Sequence, residues 1–273
     1  MFSFKELINK KGGPLVMGIL NVTPDSFSDG GKAFDIQSVR EKTKYLCDSG
    51  ADIIDIGACS TAPDNTIVSE EEEIRRLELF LPVVMENSSV PVSVDTFRSE
   101  VARYALSQGV SVVNDESGIF KEDMARVVSK YKCGWIFMHT GNSSSKDELV
   151  YENGVVNDVL SFFSQMKENA IIYSIDEEQL CYDCGIGFGK SRNDDITLLS
   201  CCDVLSQFSP LLIGASRKRV IGEMTGEKNP GDRVQGSVAV ATIVCDEGAS
   251  IVRVHDVKET VDALKVLKSL KGI

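Results

Sequence analysis

Short apolar runs alternate with longer helical stretches eight times along the 273-residue chain, and this alternation limits the folds available to it. The apolar runs are Leu15–Val22, Asp52–Gly57, Pro91–Asp95, Ser111–Asn114, Trp135–His139, Leu180–Asp183, Leu211–Gly214 and Ile251–His255. The stretches with helical periodicity are Ser38–Ser49, Glu70–Met85, Arg98–Gln108, Lys121–Lys130, Val155–Ala170, Ile196–Gln207, Arg233–Glu247 and Lys258–Leu270. Strands that alternate with helices pair in parallel through crossover connections. Because the runs are almost continuously apolar, we expect both faces of the sheet to be covered.

Eight strand–helix units without a break in composition predict an α/β fold, a single-domain (β/α)8 TIM barrel. We place the barrel at residues 14–273 and treat residues 1–13 as an N-terminal extension. A barrel of this kind takes about 250 residues, which the chain length matches. The alternative is an open doubly wound sheet. That fold carries a glycine-rich turn after its first strand, where this chain reads Asn21-Val22-Thr23-Pro24.

The composition argues against several classes of partner. The formal net charge is -12 at pH 7, and nucleic acids bind basic surfaces, so we expect no nucleic-acid partner. No run of about 18 apolar residues is present, so we expect no membrane span. The N-terminal segment lacks the apolar core of a signal peptide. We therefore expect the eight cysteines to be free thiols in a reducing cytoplasm.

Polar residues stand at the carboxyl end of every predicted strand. In strand order, the residues at these ends are Asn21, Asp55, Asp95, Asn114, Met138-His139, Asp183, Ser216-Arg217-Lys218, and Arg253 with His255. TIM barrels carry their active sites at this end of the strands. A polar group at the mouth of an apolar strand is costly unless it binds a ligand or pairs with a neighbour. The pattern therefore predicts a binding site at the barrel mouth.

The mouth residues divide into two chemical groups. Those that offer hydrogen-bond acceptors are Asp95, Asn114 and Asp183. Those that suit an anion are Lys218, Arg253 and His255. A carboxylate pairs well with a two-donor edge such as that of a 2-amino-pyrimidinone. The last two strands of a barrel frequently hold phosphate. We therefore expect a donor-rich heterocycle at one end of the site and an anion at the other.

Arg253 and His255 lie two positions apart on a strand and so point to the same face, which favours a shared role in anion binding. Asn21, with Asp25 and Asp29 of the next loop, offers the oxygen ligands that Mg²⁺ prefers on a diphosphate. The loops at residues 23–35 and 58–69 are long, polar and rich in Gly, Pro and Asp, as lids often are.

Some of these residues also have structural interpretations. Asp55 and Asp95 could cap neighbouring loops, and His139 could pack or hydrogen-bond within the fold. The run Glu70–Glu73 opens a helix, where acidic side chains offset the helix dipole, and we expect it to be solvated. Gly189-Lys190-Ser191 resembles the end of a phosphate-binding P-loop. We set it aside, because Cys184 stands where that motif needs glycine.

Several segments together resemble the dihydropteroate synthase family. The longest is MGILNVTPDSFSDGG at residues 17–31. The others are DIIDIG at 52–57, ST at 60–61, VDT at 94–96, VND at 113–115, GIGFGK at 185–190, GASRK at 214–218 and RVHDV at 253–257. The resemblance covers essentially the whole chain in the right order. It implies a TIM barrel that works in folate synthesis, usually as a homodimer and as a sulfonamide target.

The resemblance also implies a role for each residue. The pterin would be bound by Asp95, Asn114, Asp183 and Lys218, with Asp55 and Met138 nearby. The diphosphate and its Mg²⁺ would be held by Asn21, Arg253 and His255. The p-aminobenzoate pocket would be bounded by Thr61, Pro63, Phe188 and Lys218. The implied reaction joins p-aminobenzoate to 6-hydroxymethyl-7,8-dihydropterin diphosphate and releases diphosphate, with Lys218, Arg253 and His255 as catalytic residues.

The departures from the family's pattern fall mainly on the side of the amine acceptor. Ala62 stands where the family usually has Arg, and Arg219 where it usually has Ser. In addition, Cys184 replaces a common Pro, Glu116 replaces an apolar residue, and Thr140 ends a run that usually reads Met-His-Met. These differences leave the identity of the amine open.

Three hypotheses follow. In the first, Arg219 supplies the positive charge lost at Ala62, joins the substrate-binding residues and leaves an ordinary synthase. In the second, the chain is a synthase-like paralogue that uses another amine or binds pterin without turnover. In the third, it is a pterin-binding methyl-transfer module. The third is the weakest, because the chain shows no corrinoid-binding Asp-x-His-x-x-Gly motif and does carry the long loop-one signature.

Overall fold

Eight parallel strands close into a barrel in the computed structural model, which describes residues 1–23, 35–59, 68–141 and 151–272. The strands are β1 (Leu15–Asn21), β2 (Ile53–Gly57), β3 (Val92–Asp95), β4 (Val112–Asp115), β5 (Gly134–Met138), β6 (Leu180–Asp183), β7 (Leu211–Ile213) and β8 (Ile251–Val254). They pair in sequence order, and β8 returns to pair with β1. The (β/α)8 barrel is confirmed, and the open doubly wound alternative is wrong.

The helices follow the strands around the outside of the barrel. They are α1 (Phe4–Lys11), α2 (Ile36–Asp48), α3 (Glu70–Asn87), α4 (Ser99–Ser107), α5 (Glu122–Tyr131), α6 (Val155–Ile172), α7 (Arg192–Leu199), α8 (Cys202–Leu205), α9 (Arg219–Thr225), α10 (Val234–Asp246) and α11 (Val257–Lys271). No helix among the described residues is long and apolar enough to cross a membrane.

Helices α7, α8 and α9 differ from the prediction. The helix predicted at Ile196–Gln207 starts earlier, because Ser191 and Asp194 form a capping box, and it breaks after Leu199 into α7 and α8. The short helix α9 was not predicted. It ends at Gly226, whose φ of 79° stops the helix after two turns.

Side-chain alternation along the strands sorts the barrel interior into layers. The lowest layer is apolar and consists of Leu15, Met17, Ile53, Val112, Ile136, Cys181, Leu212 and Ile251. Residues two positions further along a strand point the same way. The alternation that points Ile53, Val112 and Ile251 into the floor therefore points Asp55, Asn114 and Arg253 into the upper part of the barrel.

Helix α1 closes the apolar end of the barrel, so the N-terminal segment forms the barrel's bottom cover. Phe4 is fully buried against the floor layer, and the ring of Phe2 lies edge-on to it at 4.9 Å between centroids. A Cβ atom at Gly134 would lie 2.7 Å from the Phe2 ring, so glycine is needed where β5 begins. Ser3 caps α1 by accepting a hydrogen bond from the Glu6 amide.

Phe4→Ala is expected to destabilise the protein by about 3–5 kcal/mol, because it leaves a cavity under the floor layer. Leu270→Ala is the control. Leu270 is 81% exposed on α11, and its truncation should stay within about 0.5 kcal/mol. Urea denaturation followed by circular dichroism measures both values. Equal free energies of unfolding for the two variants would show that the contact of α1 with the barrel floor does not stabilise the fold.

Candidate active site

The barrel interior places one cation between two carboxylates. Arg253 on β8 donates from Nε to Asp55 Oδ2 at 2.7 Å and from Nη2 to Asp95 Oδ2 at 2.6 Å. Asn114 Nδ2 donates to the same Asp55 oxygen at 3.0 Å. The side chains of Arg253, Asp55 and Asp95 are 14%, 0% and 12% exposed. Strands β2, β3, β4 and β8 thus contribute to one hydrogen-bonded cluster.

Burial determines the charge balance of this cluster. Removal from water raises the pKa of Asp95, the nearby Glu116 carboxylate raises it further, and the Arg253 guanidinium opposes both effects. Burial disfavours the charged form of Arg253, but Asp55 and Asp95 more than compensate and raise its pKa above the ordinary value. The guanidinium therefore stays charged, and its charge favours the ionised form of Asp95.

Two oxygen atoms in this cluster are buried and unsatisfied. Within the described residues, Asp55 Oδ1 and Asn114 Oδ1 have no hydrogen-bond partner. A buried acceptor without a donor costs about 1–3 kcal/mol. A ligand that brings N–H donors into the mouth would recover that free energy, so these atoms favour a donor-rich ligand.

Asp183 and Lys218 form the opposite wall of the mouth. Asp183 Oδ1 accepts a hydrogen bond of 2.7 Å from the Gly185 amide, and burial raises the pKa of Asp183. Lys218 Nζ donates to the Ile186 carbonyl at 2.6 Å and lies 4.5 Å from the centroid of the Phe188 ring. Burial lowers the pKa of Lys218, whereas the Asp183 carboxylate opposes this. An ammonium held against an aromatic face and near a carboxylate suits a flat polar ligand.

His255 follows the end of β8 beside Ser216. The two are joined by a hydrogen bond of 3.1 Å between Ser216 Oγ and His255 Nδ1. Burial and the nearby Arg217 and Arg253 guanidinium groups lower the pKa of His255 to about 3. His255 is therefore neutral at pH 7. It can offer an anion an N–H donor, whereas the positive charge comes from its neighbours.

Arg217 and Asp256 form a bidentate ion pair that sequence analysis missed. Arg217 donates from Nε and Nη2 to the two Asp256 oxygens at 3.0 and 2.5 Å. Its backbone has a φ of 59°, and Arg233 Nη1 donates to its carbonyl at 2.9 Å. The available signal was an arginine beside Lys218 and an acid beside His255, on strands that neighbour each other in a barrel.

Glu116 lies just beyond β4 and is partly buried. Its charge raises the pKa of Asp95 and of Asp183, and it supports the charged form of Lys218. The sequence marked Glu116 as a departure from the family's pattern without giving it a place. In the structure, it adds a negative charge to the mouth.

Asn21, the predicted metal ligand, stands at the end of β1. A Cβ atom built at Gly57 would lie 3.2 Å from Asn21 Oδ1 and 3.6 Å from Asp95 Oδ2, so both oxygens face the same gap. The described ranges contain no group of three or more His, Cys, Asp or Glu side chains that could hold a metal. Asn21 Oδ1 is a neutral oxygen donor of the kind that Mg²⁺ accepts.

Some predicted site residues lie outside the described residues, whereas Met138 and His139 have defined positions. Those outside are Asp25, Asp29, Thr61, Ala62 and Pro63. Met138 is buried on the inner face of β5. His139 has the opposite orientation: it packs on Phe162 at 5.3 Å between centroids, and its Nε2 lies 2.9 Å from Asp158 Oδ2. His139 therefore serves the contact with α6.

The prediction of a solvated acidic run at Glu70–Glu73 is wrong for Glu73. That side chain is 1% exposed and pairs with Arg98, which also donates to the Val68 carbonyl at 2.6 Å. Burial raises the pKa of Glu73, while hydrogen bonds from Thr96 and Arg98 oppose the shift. Arg98 therefore connects α3 both to the segment after β3 and to Val68, the first described residue after the second long loop.

Comparison with known proteins gives a consistent match. Residues 17–255 match the family model described as "Pterin binding enzyme". Dihydropteroate synthase of Synechocystis sp. is 39% identical over 258 residues, covering 93% of this chain and 89% of the relative. The Bacillus subtilis enzyme is 36% identical over 96% of this chain and 90% of its own length.

Solved structures show the same similarity in three dimensions. Xanthomonas albilineans dihydropteroate synthase with 4-aminobenzoic acid superposes with a TM-score of 0.88 at 39% identity, covering 96% of this chain and 94% of that chain. The same enzyme in complex with 7,8-dihydropteroate gives 0.85 at 37% identity, with 96% and 95% coverage. The chain therefore belongs to the family of pterin-binding enzymes that includes the dihydropteroate synthases.

Proposed function

We propose that this protein is a dihydropteroate synthase, which condenses 6-hydroxymethyl-7,8-dihydropterin diphosphate with p-aminobenzoate and releases diphosphate. One observation carries the proposal. A set of buried acceptors from β2, β3, β4 and β6 meets a set of cations and N–H donors from the ends of β7 and β8. The acceptors suit the pterin's amino-pyrimidinone edge, and the cations suit its diphosphate.

The pterin would bind the acceptors of the barrel mouth. Asp95 and Asn114 lie on the paired strands β3 and β4, Asp183 lies on β6, and Asp55 Oδ1 and Asn114 Oδ1 have no hydrogen-bond partner within the described residues. Lys218 would approach from the β7 side, and Met138 would supply an apolar contact from β5. A flat ring with several N–H donors satisfies these groups together.

Arg253 links the two halves of the substrate. Its Nη2 occupies Asp95 Oδ2, which is an acceptor that the pterin needs. As the pterin donors take Asp95, the diphosphate offers the guanidinium new oxygens to bind. The exchange keeps a buried charge paired throughout, which matters because an unpaired buried charge costs several kcal/mol.

The chemistry then needs no protein nucleophile. The amine nitrogen forms a bond to the pterin methylene as the C–O bond breaks, the electron pair leaves with diphosphate, and the amine proton passes to water. Arg253, Lys218 and the neutral imidazole of His255 stabilise the charge that develops on the leaving group. Positive charge on the methylene is stabilised by Asp95 and Asp183.

Mg²⁺ is proposed as the cofactor. Asn21 Oδ1 would contribute one protein ligand beside the diphosphate oxygens and water. When bound, the ion neutralises charge on the leaving diphosphate.

On the acceptor side, Arg219 follows Lys218 directly, at the first residue of α9, and is exposed. A guanidinium pairs well with a carboxylate such as that of p-aminobenzoate. We propose that Arg219 binds this carboxylate in place of the arginine missing at position 62. Thr61, Pro63 and Phe188 are proposed to bound the rest of the pocket.

We also propose a cytoplasmic homodimer. All eight cysteines are free thiols, which suits a reducing compartment. Helix α10 carries no charged residue from Val234 to Cys245, and its Ile243 is 54% exposed. Such a face favours a second copy of the chain. Sedimentation equilibrium should give twice the chain mass.

The function is tested by incubating the protein with the pterin diphosphate, Mg²⁺ and p-aminobenzoate, and by measuring dihydropteroate and free diphosphate. Both products should form in equal amounts. Binding of the pterin diphosphate by calorimetry without either product would indicate a silent binding protein. Product with a different amine only would indicate a paralogue.

Arg219→Ser is expected to raise the Michaelis constant for p-aminobenzoate by about tenfold or more, because a hydrogen bond to a charged group contributes about 1.5–3 kcal/mol. The constant for the pterin diphosphate should change little. Adding Ala62→Arg to this variant should restore p-aminobenzoate affinity, since it returns the family's usual arrangement. Arg126→Ser, at an exposed site on α5, is the control. An unchanged constant in Arg219→Ser would overturn the assignment.

Glu116→Gln is expected to move the acidic limb of the kcat/KM profile to lower pH. The Glu116 carboxylate raises the pKa of Asp95 and Asp183, both of which must be ionised to accept pterin donors. Activity is lost as pH falls through these pKa values, so removing the negative charge lowers the pH at which that happens. Glu86→Gln, exposed on α3, should leave the profile in place. A shift to higher pH would contradict this electrostatic role.

A further inference from the structure

Lys190 is a buried ammonium that the proposed chemistry does not use. Its Nζ donates to the carbonyls of His139, Gly185 and Phe188 at 2.9, 2.9 and 3.2 Å. An ammonium has three N–H donors, and here each one has a backbone acceptor. Burial lowers the pKa of Lys190 to about 8, so it is mainly charged at neutral pH. The P-loop resemblance therefore fails at this residue, since its donors serve the protein's own backbone.

These three carbonyls belong to two loops that meet at the barrel mouth. His139 follows β5, whereas Gly185 and Phe188 follow β6. The loops also touch directly. The Gly141 amide donates to the Phe188 carbonyl at 3.3 Å, and a Cβ atom at Gly185 would lie 1.9 Å from the His139 oxygen. Only glycine at 185 allows the approach, and its φ of 66° also suits glycine.

The segment 184–190 carries two contacts of Lys218 within the described part of the chain. Lys218 Nζ donates to the Ile186 carbonyl at 2.6 Å and lies over the Phe188 ring. Glycines at 185, 187 and 189 all have positive φ, so this segment gains little rigidity from its own backbone. Besides Lys190, the segment is held by the Gly187 amide, which donates to Asp195 Oδ1 at 2.7 Å, and by two longer hydrogen bonds of 3.3 Å, from the Gly141 amide to the Phe188 carbonyl and from the Tyr151 hydroxyl to the Gly189 carbonyl.

We propose that Lys190 is a positioning residue for the proposed synthase reaction: its ammonium fixes segment 184–190 so that Phe188 and the Ile186 carbonyl hold Lys218 at the mouth. This inference rests on the proposed function for its kinetic consequence. The fixing of the segment is a property of the folded chain and is measured without substrate.

The first test is hydrogen–deuterium exchange of the folded protein. In Lys190→Met, three carbonyls lose the ammonium donor while the side-chain volume is kept, and amide exchange in peptides covering 139–141 and 184–191 should rise by about tenfold or more. Lys44→Met, at an exposed lysine on α2, should leave those peptides unchanged. Lys190→Gln keeps two N–H donors and should give an intermediate increase in exchange. This variant tests the proposal if Lys190→Met does not fold. Exchange that matches Lys44→Met, or that rises equally around the whole barrel, would overturn the proposal.

The second test is kinetic. Lys190→Met and Lys190→Gln should raise the Michaelis constant for p-aminobenzoate by about tenfold, because Phe188 and Lys218 together bound that pocket. The constant for the pterin diphosphate should rise less than about threefold, because Lys218 is one of several groups proposed to bind that substrate. A purely structural role would lower the active fraction and leave both constants in place. Equal increases for both substrates would also contradict the proposal. Wild-type protein that makes no dihydropteroate would reject the proposed function, whereas the exchange experiment would still decide the role of Lys190 in fixing the segment.

Discussion

Arg253 and its two buried carboxylates are the interaction on which the mouth depends. The guanidinium joins Asp55 and Asp95, which lie 198 and 158 positions away in sequence, and only closure of the barrel brings them together. Such a cluster contributes little net stability, because desolvating three charges offsets most of their attraction. Removing one member, however, leaves the other buried charges without a partner, which is strongly destabilising. The cluster therefore holds the site in one arrangement until a ligand offers both N–H donors for the carboxylates and oxygens for the arginine.

The barrel tolerates buried charges and unsatisfied acceptors at its mouth because other layers stabilise the fold. The apolar floor, closed by Phe4, and the large cluster between the strands and helices form two continuous hydrophobic cores. The upper layer of the barrel interior is polar, and Asp55 Oδ1 and Asn114 Oδ1 stay unsatisfied there among the described residues. Sites that depart from the rules for stability are expected where ligands bind.

Local patterns predicted the barrel and the residues at its mouth, because both follow from short-range periodicity. The alternation that buries Ile53 and Ile251 also turns Asp55 and Arg253 inward. The hydrogen-bond and ion-pair partners of individual side chains could not be predicted in this way, because they depend on how distant segments pack. Lys190 resembled a phosphate ligand, yet its acceptors are backbone carbonyls of two loops, one of them about 50 residues away. Glu73 was predicted to be solvated because the helix-dipole argument considers only the start of α3. Its partner Arg98 lies beyond β3, and their contact depends on how α3 packs against the end of that strand.

The remaining question is how a chain of net charge -12 holds a diphosphate. Charges separated by more than about 10 Å are largely screened at physiological salt, so the local arrangement decides. Arg217, Lys218 and Arg219 follow β7, and Arg253 lies on the adjacent β8, so four cations stand on or just beyond two neighbouring strands. Asp256 neutralises Arg217, and Asp55 with Asp95 neutralise Arg253 until a ligand competes. Under the proposed function, a pterin that takes Asp95 would release part of the Arg253 charge to the diphosphate, in addition to the charge of Lys218, and would couple recognition of the ring to binding of its leaving group.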